Sequence, residues 1–135
     1  MSTIAVLEDD QRRISAIRAA AKVHFPGYEL RIFISAYEMI AWLASAPHSA
    51  ELLSLDCDLD STATDGSECG TGEDVTEYLA SNLPECPVLI HSSNAMRAPA
   101  MHMELALAGC KRVMLCPFRD SDSWANDVRL QLDSE

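Results

Sequence analysis

The stretch Ile4-Ala5-Val6-Leu7-Glu8-Asp9-Asp10 places four apolar residues directly before three acidic ones. A short continuous apolar run of this kind is typical of a β-strand that is buried on both faces of a sheet. Apolar residues then recur at helical spacing, at Ile14, Ile17 and Ala21, until Pro26-Gly27 breaks the pattern. The stretch therefore predicts a buried strand followed by an amphipathic helix.

The same alternation of strand and helix continues along the chain. Ser35 is a predicted helix N-cap, and Gly109 a predicted helix end. Further apolar runs predict strands at residues 30–34, 52–55, 87–90 and 113–115, each followed by a helical pattern. Five strands alternating with five helices indicate an α/β fold, with a parallel sheet covered on both faces. We expect residues 1–135 to form one domain, a flavodoxin-like doubly wound sandwich with strand order 2-1-3-4-5.

The composition narrows the classes of function. Of the 135 residues, 48% are hydrophobic and 23% charged, as in an ordinary globular domain. The net charge of −11 argues against a nucleic-acid binder, because phosphate contacts need a basic face. There is neither a membrane-spanning apolar run nor a signal-peptide pattern, so we expect a cytoplasmic protein without membrane contact. The five cysteines show no CxxC pair and no metal-ligand spacing, which predicts reduced and mostly buried thiols.

Acidic and polar residues follow the predicted strands. Strand 1 ends in Glu8-Asp9-Asp10, strand 3 in Asp56-Cys57-Asp58, and strand 4 in His91-Ser92-Ser93-Asn94. In this fold ligands bind outside the carboxyl ends of the strands, at the point between strands 1 and 3. Carboxylates gathered there repel one another unless a cation intervenes, and Mg²⁺ with oxygen ligands relieves that repulsion. We therefore predict a magnesium site; the alternative is that these acids cap the following helices.

Three details of these segments suggest roles for single residues. Residues two apart share one face of a strand, so Asp56 and Asp58 can address one ion if the extended backbone persists. His91 is a candidate general acid or metal ligand, or else a histidine bonded to nearby backbone. Gly70-Thr71-Gly72 precedes a predicted helix, where its amides can bind an anion or simply cap the helix.

Several landmarks together resemble those of response-regulator receiver (CheY-like) domains. The resemblance spans residues 3 to 132 and is carried by residues 6–10, Asp56, residues 87–92, residues 108–110 and residues 116–118. It implies that Glu8 and Asp9 hold Mg²⁺ and that Asp56 is the phosphoryl acceptor of two-component signalling. It also implies that the hydroxyl of Ser92 moves to meet the phosphate.

One position departs from that family. Receivers carry a lysine before the Pro-Phe pair, where this chain has Cys116. A thiol cannot supply the cation that pairs with the phosphoryl group. Arg97, Lys111 and Arg112 are the candidate substitutes.

A second set of motifs resembles the cyclic-phosphate processing receiver-like domains. Those domains read S-L-D-H-D-L, G-T-G-x-D-V and H-S-x-N, and the corresponding stretches here are residues 54–59, 70–75 and 91–94. Cys57 replaces the histidine of the first motif. The resemblance implies hydrolysis of cyclic or terminal phosphates by Asp56, Asp58 and His91. We add Ser92 to these candidate catalytic residues, and Asn94 to the candidate anion-binding residues Gly70, Thr71 and Gly72.

The segment after strand 3 raises two further points. The spacing Asp56-x-Asp58-x-Asp60 is that of a calcium loop, but Ser61 and Ser67 replace the required glycine and glutamate, which excludes an EF-hand. Residues 57–71 are long for a connection in this fold, which predicts a functional lid or a mobile insertion. Cys57 lies between two aspartates, so we expect a raised thiol pKa and a poor nucleophile.

Three functions are compatible with these residues. The first is a stand-alone signalling receiver, atypical in lacking the pocket lysine, that acts on a partner protein through helix 4, strand 5 and helix 5. The second is a metal-dependent phosphoesterase that acts on a phosphate-bearing small molecule. The third is a pseudo-receiver scaffold without chemistry, so the sequence leaves open whether the protein is an enzyme.

Overall fold

A five-stranded parallel sheet is the framework of the protein, and its strand order is β2-β1-β3-β4-β5. The computed structural model describes residues 2–46, 49–59 and 69–133. The strands are β1 (Thr3–Leu7), β2 (Glu29–Phe33), β3 (Ala50–Leu55), β4 (Val88–Ile90) and β5 (Val113–Leu115). The helices are α1 (Gln11–His24), α2 (Ala36–Ser45), α3 (Gly72–Ser81), α4 (Arg97–Ala108) and α5 (Ser121–Asp133). The predicted fold and strand order are confirmed.

The two faces of the sheet carry separate apolar cores, which we call the α1–α5 layer and the α2–α4 layer after the helices that cover them. Along β1, Ile4 and Val6 face the α1–α5 layer, whereas Ala5 and Leu7 face the α2–α4 layer. All of these side chains are fully buried. A strand covered on both faces needs apolar residues at every position, which explains the continuous apolar runs in the sequence.

The helix ends follow the predicted signals. Ser35 Oγ accepts a hydrogen bond from the amide of Glu38 and caps α2. Gly109 ends α4 in the left-handed region, at φ 105°, where glycine carries no Cβ penalty. Helix α1 ends at His24, just before Pro26-Gly27. The element boundaries therefore rest on local chemistry that the sequence already displays.

Two expectations depend on which residues the structure describes. No helix within the described ranges is long and apolar enough to cross a membrane. Asp60, Ser61 and Ser67 of the excluded calcium loop lie outside the described residues, and so does most of the 57–71 segment with its predicted lid or insertion.

Candidate functional site

Glu8, Asp56 and His91 meet at the carboxyl ends of three neighbouring strands, and we call this group the carboxylate pocket. One carboxylate oxygen of each acid and one ring nitrogen of His91 all lie within 4.8 Å of one another. The residues directly follow β1, β3 and β4, whose ends the sheet brings together. Their backbones are tied to the neighbouring strands, since the Asp56 amide bonds to Leu7 O and the His91 amide to Leu55 O. The group lies where this fold places its ligands.

Glu8 is fully buried, and hydrogen bonds engage both of its carboxylate oxygens. His91 Nε2 lies 3.0 Å from Oε1, and the backbone amides of Asp9 and Asp10 donate to Oε2 over 3.1 Å each. Burial raises the pKa of Glu8, but the hydrogen bond and charge of His91, the amide of Asp10 and the charge of Arg13 outweigh it. The net result is a lowered pKa, so Glu8 stays ionised despite its burial.

Asp56 behaves in the opposite way. Asp56 is only 6% exposed. Burial raises the pKa of its carboxyl from 3.8 to about 7, and the negative charge of the neighbouring Glu8 adds to the rise. Two carboxylates this close cannot both ionise cheaply in a buried place. Near neutral pH Asp56 is therefore poised between its protonated and ionised forms, while Glu8 carries the charge.

A buried hydrogen-bond chain connects the pocket to helix α5. Ser54 Oγ lies 2.7 Å from His91 Nδ1, and Trp124 Nε1 donates to the same oxygen over 3.1 Å. The indole can only donate, so Trp124 donates to Ser54, which in turn contacts one ring nitrogen of His91 while the other ring nitrogen contacts Glu8. All four residues are at most 1% exposed. The expected alternative of a histidine bonded to nearby backbone is not what the structure has; the ring of His91 bonds to two side chains.

Arg13 supplies the cation beside these acids. Its Nη1 atom lies 3.8 Å from Glu8 Oε1 and 4.0 Å from Asp56 Oδ1. Nη2 donates to Ser93 Oγ over 3.3 Å, and the guanidinium carbon lies 5.4 Å from the centre of the Phe118 ring. The side chain is 27% exposed and therefore stands at the rim of the pocket.

Asp58 belongs to a different group, which we call the Arg97 cluster. Asp58 is exposed; its carboxylate accepts from Arg97 Nη1 over 2.9 Å and from Asn94 Nδ2 over 3.0 Å. Arg97 also binds Glu73 through Nε and Nη2. The condition for a shared ion, an extended backbone from Asp56 to Asp58, is not met, because β3 ends at Leu55 and the chain bends at Cys57. In the described part of the chain, the ion pairs of Arg97 are with Asp58 and Glu73.

The Gly-Thr-Gly turn fits tightly against the backbone of Asp56 and Cys57, directly after β3. A Cβ atom on Gly72 would come within 2.0 Å of the carbonyl oxygen of Asp56, so only glycine fits here. The Gly72 amide donates to Cys57 O over 2.8 Å, and the Thr71 amide donates to Asp74 Oδ2 over 2.9 Å. These two amides are engaged within the protein and the turn caps α3, while anion binding at Gly70, Thr71 and Gly72 stays a prediction.

Other candidate residues from the sequence take the following places. Ser92 is 2% exposed, and its hydroxyl accepts from the amide of Asn94. The Asn94 side chain accepts from the amides of Met96 and Arg97 at the start of α4. Asp9, next to Glu8, is half-buried. Asp9 does not belong to the three-residue group.

The two unusual cysteines do not point to chemistry. Cys57 packs in the α2–α4 layer, and burial raises the pKa of its thiol to about 11, as expected for a poor nucleophile. Cys116 packs against the opposite core, in the α1–α5 layer. Lys111 and Arg112 precede β5, so they lie at the amino ends of the strands, opposite the carboxyl ends where the pocket lies.

Sequence reasoning missed Arg13, Ser54 and Trp124. Arg12 and Arg13 are adjacent, and only the phase of α1 selects the one that faces the pocket. Ser54 interrupts an apolar strand, which was a usable signal, since a buried hydroxyl needs a partner.

Comparison with known proteins supplies the family. The model of the cyclic-phosphate processing receiver domain matches residues 4–106. Among curated protein sequences, none matches this chain.

Three solved structures share the fold. The phosphorylated cyanobacterial phytochrome response regulator RcpA is 16% identical, with 99% of this chain and 96% of that chain covered and a TM-score of 0.73. The receiver domain of NtrX from Brucella abortus is 19% identical, with coverages of 98% and 99% and a TM-score of 0.66. A response regulator from Burkholderia pseudomallei, described with a phosphorylated aspartic acid, calcium ion and citrate, is 16% identical, with coverages of 99% and 68% and a TM-score of 0.64. At these identities the likeness concerns the fold. The family match covers most of the chain, and on that ground the protein belongs to the cyclic-phosphate processing receiver domains.

Proposed function

We propose that this receiver domain is a signalling module in which Asp56 accepts a phosphoryl group with the help of Mg²⁺. The observation that carries the proposal is the contrast between two neighbouring carboxyls. Hydrogen bonds hold Glu8 ionised, while the pKa of Asp56 is raised to about 7. Asp56 therefore needs a cation beside it to be a full carboxylate nucleophile at neutral pH.

The donor set of the pocket fits a magnesium ion. Glu8 and Asp56 contribute oxygen atoms within 4.8 Å of each other, and Arg13, at 3.8 and 4.0 Å, bonds directly to neither. Mg²⁺ is commonly held by one or two carboxylates and retains several waters. Glu8, Asp56 and the adjacent Asp9 would hold it, while Asp58 would stay with the Arg97 cluster. When bound, the ion supplies positive charge to the oxygens of the transferred group.

The chain's own residues would divide the work as follows. A carboxylate oxygen of Asp56 attacks phosphorus, the bond from phosphorus to the leaving oxygen breaks, and the leaving group departs with that electron pair. The product is an acyl phosphate on Asp56. His91 keeps Glu8 in place through the bond from Nε2, and the buried Ser92 hydroxyl beside it would sense the new phosphate oxygens.

The test is phosphorylation by acetyl phosphate with magnesium, followed by intact mass. We expect a phosphate-sized gain on the wild type, none on Asp56→Asn, and a normal gain on Asp58→Asn. A mass gain that persists in Asp56→Asn would contradict the role of Asp56, and no gain on the wild type would refute phosphoacceptance.

A second candidate function is the hydrolysis of cyclic phosphates. It is favoured by the description of the family and by the place of His91, whose Nε2 atom belongs to the pocket. Asp56 and His91 would act there, while the third predicted residue, Asp58, lies with Arg97 and Asn94. Incubation of a nucleoside 2′,3′-cyclic phosphate with the protein and magnesium, followed by chromatography, tests it: monoester product that disappears in His91→Gln would support the enzyme.

The expected partner follows from the function. A phosphorylated domain would act on a partner protein, whereas an esterase would take a phosphate-bearing small molecule. A domain that fails both tests and also fails to bind magnesium would be a scaffold.

A further inference from the structure

Arg13 is held at the rim of the carboxylate pocket by two contacts from the segments after β4 and β5. Ser93 accepts a hydrogen bond from Nη2 over 3.3 Å, and the face of the Phe118 ring lies 5.4 Å from the guanidinium carbon. Both contacts restrict the long side chain before any ligand arrives. The guanidinium is therefore placed beside Asp56 in advance.

The contacts of Arg13 with the acids are long. At 3.8 Å to Glu8 and 4.0 Å to Asp56, they exceed hydrogen-bond distance. A guanidinium carries five N–H donors in a planar fork, and the bond to Ser93 uses one of them. The group balances the pocket electrostatically while keeping donors for an anion with oxygens in a matching geometry, such as a phosphate.

The other candidate cations are placed elsewhere. Arg97 binds Asp58 and Glu73, and Cys116 packs into the α1–α5 layer. Lys111 and Arg112 precede β5, so they lie at the amino ends of the strands, whereas the pocket lies at the carboxyl ends. Of the positively charged side chains in the described ranges, Arg13 is the one with an ion pair to Asp56.

We propose that Arg13 is the anion-binding residue of the pocket and that its guanidinium receives the oxygens of a phosphoryl group or phosphate. The inference rests on the proposed function, since it names the residue that binds the phosphate of the same site. It places the cation on α1, whereas receivers carry theirs as the lysine that Cys116 replaces here.

The test is the binding of inorganic phosphate to the wild-type protein, the parent of the variants, in the presence of magnesium, measured by calorimetry. Inorganic phosphate carries no activated phosphoryl group, so it reports binding without reaction and leaves the proposed magnesium ligands in place. We expect Arg13→Gln to weaken phosphate binding at least tenfold. Arg13→Lys should lose less, because it keeps the charge but not the fork.

Arg12→Gln is the matched control, because Arg12 is the exposed neighbour on the same helix turn. Its phosphate affinity should stay within twofold of the parent. Circular dichroism checks that each variant is folded. The proposal is overturned if Arg13→Gln binds phosphate as tightly as the parent, or if the parent binds none.

The two proposals can fail separately. If the wild type gains no phosphate from acetyl phosphate while phosphate binding depends on Arg13, the phosphoacceptor function fails and the role of Arg13 stands. If the wild type is phosphorylated and Arg13→Gln reacts with an unchanged KM for acetyl phosphate, the role of Arg13 fails and the phosphoacceptor function stands.

Discussion

The indole nitrogen of Trp124 lies 3.1 Å from the hydroxyl oxygen of Ser54, and this bond joins the last helix to the carboxylate pocket. Ser54 contacts His91, and His91 contacts Glu8, so four buried polar groups satisfy one another in sequence. A buried network of this kind is costly to interrupt, since a polar group that loses a partner in a dry interior cannot replace it with water.

Ser54→Ala should destabilise the protein by about 2–6 kcal/mol. The change leaves Trp124 Nε1 and His91 Nδ1 without their partner in a dry interior, at about 1–3 kcal/mol for each unsatisfied group. Urea unfolding measures the loss. Ser81→Ala, at an exposed position, is the control and should stay within about 0.5 kcal/mol of the wild type. If Ser54→Ala lowers the free energy of unfolding by less than about 0.5 kcal/mol, the hydrogen-bond network contributes little to stability.

Gly72→Ala should cost more than about 2 kcal/mol, because the new methyl group would lie 2.0 Å from the Asp56 carbonyl oxygen and 2.9 Å from Cys57 Cα. Both obstacles are backbone and cannot rotate away. The matched control is Gly27→Ala, where nothing lies within 4 Å of the added Cβ. Equal unfolding free energies for the two variants would contradict the tight fit.

The ionisation of Asp56 should make the metal-free protein less stable as pH rises. Its folded-state pKa of about 7 exceeds the ordinary 3.8, so the folded state holds a proton that the unfolded state releases. Stability from this group is present below about pH 4 and is lost as pH rises to about 7. Relative to wild type, Asp56→Asn should therefore gain stability across this window, by up to about 4 kcal/mol.

Urea unfolding in chelator at pH 5 and pH 8 checks that dependence. Asp122→Asn, at an exposed position of α5, serves as the control and should parallel the wild type. If the wild type and Asp56→Asn change in parallel between the two pH values, the raised pKa is refuted.

Magnesium should raise the melting temperature through Glu8 and Asp56. A ligand that binds only the folded state adds about 2.7 kcal/mol at a concentration one hundred times its Kd. The shift should vanish in Glu8→Gln and on addition of chelator, and it should persist in Glu77→Gln, an exposed acid on α3. An identical shift in Glu8→Gln would place the ion elsewhere.

The fold was predictable because its signals are local. The apolar runs of β1 and β3, the cap at Ser35 and the glycine after α4 each carry their meaning within a few residues. The meeting of Glu8, Asp56 and His91 followed from the strand order, which places three strand ends side by side.

The finer features of the site depend on where each side chain points in the folded protein, which no short stretch of sequence displays. Asp56 and Asp58 do not share one face of a strand, because β3 ends at Leu55, before either residue. Arg13 is distinguished from Arg12 only by helix phase, and Ser54 meets Trp124 from 70 residues away. Such contacts are products of tertiary packing, so the residue types alone did not reveal them.

Arg13 and Trp124 reach the pocket from helices that pack against each other on the same side of the sheet. The Arg97 cluster lies on the other side, where Glu73 and Arg97 lie at the starts of α3 and α4, and Arg97 contacts Asp58 and Asn94 of the preceding segments. The surroundings of the pocket are therefore asymmetric. A charge that enters the pocket acts most directly on α1, through Arg13, and on α5, through Trp124 and Ser54. A mutation that loosens the packing of α1 against α5 would therefore disturb the surroundings of Glu8 and Asp56 while leaving both acids in place.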